Sequence, residues 1–111
     1  SKVVRGSYMM ILDKIVNNLI ANNTEYIFTE TEDGVYTSSV PVGDFQLLID
    51  LVPDESDGIV LVSGTLVIGN ENIHTHTYVD DTYEQVFYAL INLKIMANNV
   101  VKKIKEFSEW K

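Results

Sequence analysis

The chain of 111 residues contains no cysteine, only two prolines and six glycines. Without a thiol there is no disulfide framework, cysteine-ligated zinc, iron–sulfur cluster or thiol nucleophile. Long hydrophobic runs are also missing: the apolar stretches at residues 59–62 and 66–68 fall far short of the roughly 20 residues that span a bilayer. The most telling absence is charge of one sign. From Glu25 to Glu84 there are thirteen acids and no lysine or arginine. Nucleic acid is therefore disfavoured as a direct partner, because neutralisation of phosphates by lysine and arginine supplies most of that affinity.

Apolar residues make up 46% of the chain, enough to bury a core without staples. Residues 1–8, ahead of Met9, are expected to be a non-native remnant or a disordered arm, and residues 9–111 a single α+β domain. Lys2 and Arg5 precede no sustained apolar segment of the signal-peptide type, so a cytoplasmic protein is expected and the sequon at Asn22 to Thr24 is read as idle.

Ile11, Leu12, Ile15, Val16, Leu19 and Ile20 recur at three- and four-residue spacing, which predicts an amphipathic helix from Met9 to Ile20. The period then becomes two. Tyr26, Phe28, Tyr36 and Val40 can share one face of a hairpin turning at Asp33-Gly34, with Pro41 confining the second strand to an edge or ending it. Phe45, Leu47, Ile49 and Leu51 alternate on the next strand, and residues 53–58 collect turn formers and acids into a loop. Residues 59–79 read as a further hairpin. A turn centred on Asn70-Glu71 would pair Ile68 with Ile73 and Thr65 with His76.

Residues 80–110 predict a long helix, with Asp81 and Glu84 as an aspartate version of the capping box. Its main stripe runs through Val86, Leu90, Leu93, Ala97, Ile104 and Phe107, while Phe87, Ile91 and Ile95 form a second apolar side that a twin subunit could cover. The expected fold is thus a two-layer α+β domain: an N-terminal helix, about five antiparallel strands in meander order and a long C-terminal helix, both helices on one face of the sheet. In profile it resembles secretion-chaperone and YbjN-type domains. That resemblance implies a homodimeric module binding a protein client through helix and sheet surfaces.

His74 and His76, two apart on a strand, point the same way at roughly 7 Å, a gap one metal can bridge. Zinc needs a third protein ligand, and the proposed pairing supplies none, so His74, His76 and Tyr78 read as a wet strand face first and a contact patch second. Neither a G-x-S-x-G elbow nor a glycine-rich phosphate cradle is present. No enzymatic activity, metal or cofactor is expected. The leading expectation is a non-enzymatic binding module of the inhibitor, antagonist or immunity type that masks a basic protein surface. Its partner-binding residues are Glu30, Glu32, Asp33, Asp50, Asp54, Glu55, Asp57, His74, His76 and Tyr78. A homodimer through Phe87, Ile91 and Ile95 is the alternative assembly. No membrane contact is expected, since Lys102, Lys103 and Lys105 face different directions on their helix.

Overall fold

A computed structural model describes residues 2–22, 25–31, 34–54 and 58–109, with side chains described from Ile11 onward. Helix α1 (Lys2–Asn22) leads into strands β1 (Thr29–Glu30), β2 (Tyr36–Val42), β3 (Phe45–Asp54), β4 (Ile59–Ile68) and β5 (Glu71–Asp80), and helix α2 (Tyr83–Glu109) follows. The strands form one antiparallel sheet in the order β1-β2-β3-β4-β5, and both helices pack on the same face. The fold is the expected two-layer α+β arrangement. No helix among the described residues is long and apolar enough to cross a membrane.

In α1, Leu12, Ile15, Val16 and Leu19 are buried, so the three-and-four spacing sets the core face. Ile11 and Ile20, expected within the stripe, flank it and stay exposed. Tyr36 donates from its hydroxyl to Asp13 Oδ1, tying α1 to the start of β2. Residues 26–28 lie outside the ladder, which makes β1 shorter than the strand of the predicted hairpin. Burial of the Tyr26 and Phe28 rings, stacked with centroids 6.1 Å apart, fixes this segment, and Ile27 between them is 72% exposed.

Strand β2 continues through Pro41 to Val42, and of the two outcomes expected of Pro41 it is the edge that is found. Because β1 pairs only with Tyr36 and Thr37, Pro41 lies where β2 has no outer neighbour, and its missing N–H breaks no ladder there. Gly43 takes φ +61° in the two-residue turn before β3, a conformation that costs glycine little. Along β4, Val60, Val62, Gly64 and Leu66 face the helices. A Cβ on Gly64 would stand 2.9 Å from Leu93 Cδ2, so glycine is what lets α2 lie this close to the sheet.

The β4–β5 register corrects the predicted one. Ile68 pairs with Glu71 and Leu66 with Ile73, so the turn is Gly69-Asn70 rather than Asn70-Glu71. Gly69 has φ +57°, the left-handed geometry that two-residue hairpins demand and that glycine meets without strain. The slip is of two residues, which preserves which side chains share a face.

The start of α2 also differs. Thr82 Oγ1 accepts from Gln85 N–H at 3.3 Å, so Thr82 is the N-cap in place of Asp81, while the Thr82 N–H donates to Asp80 C=O at 2.8 Å. Val86, Ala89, Leu90, Leu93 and Ala97 of α2 are buried on the sheet. Phe107, expected on the same stripe, is 71% exposed because it falls near the end of α2, past the last buried turn.

Candidate partner-binding surface

The uncovered face of the sheet is laid out in cross-strand rows. Thr37, Asp50, Ser63 and His76 form one, and Ser39, Leu48, Thr65 and His74 the next. At one end of the sheet Asp54, Ile59 and Asp80 form a terminal row, adjoined by Val52, Leu61 and Tyr78. The two middle rows carry a single carboxylate, Asp50. Outward positions on central strands are half-buried by their neighbours, and a charge there loses part of its hydration; strand ends and loops keep theirs. Glu30, Asp54 and Asp80 accordingly gather at one end of the sheet, while Asp44 and Glu71 stand at the turns of the other.

That end is defined by the register. Glu30 pairs with Tyr36 at the start of β2, Tyr36 pairs with Leu51 near the end of β3, and Asp54 closes β3 against Ile59, which pairs with Asp80. The first turn of α2 adds Glu84, and Asp81 enters by a backbone bond, its N–H donating to Gly58 C=O at 3.1 Å. Asp80, Asp81 and Glu84 were assigned to a helix start by sequence reasoning. With Thr82 as the cap, they join the acidic end instead. Four of the expected partner residues, Glu32, Asp33, Glu55 and Asp57, lie outside the described residues.

The final helix reaches into the acid-rich segment at one place, where Lys94 forms an ion pair with Glu25. Lys103 is 4.0 Å from Glu106 on its own helix. Among the described residues no lysine pairs with Glu30, Asp50, Asp80 or Glu84. The other lysines of α2, Lys102, Lys103 and Lys105, fall in its last turns, where Lys103 lines one cleft with Ile68 and Glu71.

His74, His76 and Tyr78 are exposed on β5. Thr65 Oγ1 and His74 Nδ1 are hydrogen-bonded at 2.9 Å, while the His76 and Tyr78 rings meet edge to face at 6.1 Å and 85°. The two-residue slip puts Thr65 opposite His74 and Ser63 opposite His76, in place of the predicted Val67 and Thr65. Among the described residues no group of three His, Cys, Asp or Glu side chains is placed to hold a metal ion. Comparison with protein-family models, with curated proteins and with solved structures returns no match. The surface must therefore be read from its own chemistry.

The predicted dimer residues do not form one free face. Phe87 packs on the core and stacks with Tyr83 at 5.7 Å, Ile91 is half-buried, and Ile95 is 51% exposed. Helix α1, which also contacts α2, supplies a second cover for the apolar first half of α2 within the chain. Sequence periodicity alone left that role open between α1 and a twin subunit.

Proposed function

We propose that this is a cytoplasmic, non-enzymatic binding module that uses its acidic end to mask a basic surface on a protein partner. The carrying observation is the convergence of Glu30, Asp54, Asp80 and Glu84 at one sheet end, with Lys102, Lys103 and Lys105 toward the far end of α2 and Lys94 alone paired in the acid-rich segment, with Glu25. Such segregation gives the molecule a directional field, which steers encounter with a cation-rich partner and sets its orientation. Beside the carboxylates stand Val52, Leu61 and Tyr78, an apolar row able to desolvate a contact that begins electrostatically. Asp50, His74 and His76 extend that row along the sheet with hydrogen-bonding groups.

The test is affinity enrichment from a source lysate, followed by measured binding of the captured protein to wild-type chain and to Glu30→Lys/Asp80→Lys. The expected partner has a basic surface. Its affinity falls about 10-fold or more on charge reversal, and again as salt is raised to about 1 M, where the Debye length shrinks to about 3 Å. A partner held equally well by both proteins at both salt concentrations would remove the reading.

A further inference from the structure

We propose that a second copy of this chain docks on the open edge of β5, pairing β5 with β5 antiparallel across a two-fold axis perpendicular to the sheet. The two edges of the sheet are unlike: β1 is two residues long, whereas β5 runs ten residues in unbroken one-to-one register with β4. A long, regular edge is a template for another strand unless something blunts it. Proline, lysine, glycine and a bulge are the usual means, and β5, "ENIHTHTYVD", has none of them.

The hairpin geometry says which groups are offered. A two-residue turn is closed by a hydrogen-bonded pair, here Ile68 with Glu71, so pairs alternate from that point. The backbone groups of Asn72, His74, His76, Tyr78 and Asp80 therefore point away from β4, toward the open edge. Directly opposed residues must share a face, which places the two-fold axis on a residue rather than between two. An axis at His76 uses the outward groups of all five. It sets Ile73 against the partner's Val79 on the helix side, and His74 against the partner's Tyr78 on the other. No formal charge lies between Glu71 and Asp80, so the body of the strand meets no like charge.

Two further features fit the same occupant. Under the edge, α2 stands off from β5, leaving an open apolar cleft of about 570 Å³ lined by Ile68, Ile73, Val100 and Ile104, with Met96 bordering a smaller one beside it. In the paired arrangement both α2 helices lie antiparallel on one face, flanking the seam, so the cleft of each copy faces the partner's Val79 and the first half of its α2. The charges match in part. Lys103 and Glu71 border the cleft at the turn end of β5, whereas Asp80, Asp81 and Glu84 mark its other end; the antiparallel axis brings the Lys103 end of α2 toward the partner's Glu84 end, and this attraction must outweigh the acid pair that Glu71 makes opposite the partner's Asp81. Glu30, on the opposite edge of the sheet, remains free in the dimer.

The absence of cysteine makes the test clean. Sedimentation equilibrium of the wild-type chain should give twice the 12.5 kDa monomer mass. His76→Cys should close a disulfide dimer under mild oxidation, since opposed residues of such a pair lie about 5.5 Å apart, within disulfide range. Ile95→Cys, on the exposed side of α2, should stay monomeric under denaturing electrophoresis. Thr77→Lys, at an exposed position of β5 opposite the partner's Thr75, should weaken association 10-fold or more while leaving the circular dichroism spectrum of the chain unchanged. A strict monomer up to about 0.5 mM, the range of the weakest specific contacts, would overturn the proposal, as would cross-linking through Ile95→Cys and not His76→Cys.

Discussion

At the scale of single residues, three positions carry most of what is specific to this chain. Thr82 caps α2, and its loss leaves first-turn N–H groups without a side-chain acceptor, so Thr82→Ala should cost about 1 kcal/mol. Asp81→Ala, by contrast, should cost less than half as much in the same urea titration; equal losses would return the capping role to Asp81. Gly64→Ala should cost about 1–3 kcal/mol, because its methyl group enters the space already held by buried Leu93 and overpacks that contact. Tyr26 adds a pH dependence. Burial holds its phenol above the ordinary tyrosine value near 10, so the folded state favours the neutral form more than the unfolded state does. The resulting stabilisation is complete below pH 10 and is lost as pH rises through the folded value. Melting curves from pH 8 upward should show Tyr26→Phe declining less steeply than wild type above about pH 10; parallel declines would place the effect elsewhere.

At the scale of elements, periodicity located both helices, the meander and the inward-facing positions of β2, β3 and β4. It did so because burial on one face repeats at 2 or 3.6 residues whatever the partner. What escaped was set by interactions between non-neighbours. The short β1 follows from ring burial by Tyr26 and Phe28, which no local spacing reports; that Pro41 marks an edge stretch rather than the end of β2 was decided by how little of β2 is paired by β1. The hairpin register failed because Asn-Glu and Gly-Asn are both plausible turn centres, and only the positive φ at Gly69 separates them. A Cβ at that position would meet nothing within 4 Å, so substitution there isolates the backbone term. Gly69→Ala should lower stability by about 1–2 kcal/mol, whereas Gly69→Asn, which enters the left-handed region more readily, should lower it by less. Equal loss for both, followed by chemical denaturation, would mean that the turn does not rest on residue 69.

At the scale of the whole molecule, net charge was legible from composition, but its placement was not. Thirteen acids without an intervening cation fit an acidic face, an acidic end or an even coat equally well. The meander decides among them, because consecutive antiparallel hairpins return alternate connections to the same end, and here the 31–35 and 54–58 connections and the β5–α2 junction share it. Crowded like charge opposes folding where it is concentrated and scarcely elsewhere. Glu30→Gln and Asp80→Asn should therefore each raise stability by a few tenths of a kcal/mol at low salt, a typical size for exposed charge pairs. Glu106→Gln, beside Lys103 at the other end, should leave it unchanged or slightly lower it. Adding about 0.5 M sodium chloride should compress these differences, since screening falls below the spacing of the carboxylates. If the three substitutions behaved alike at both salt concentrations, the carboxylates would not act as a concentrated pole, and a basic partner would have no reason to prefer that end of the sheet.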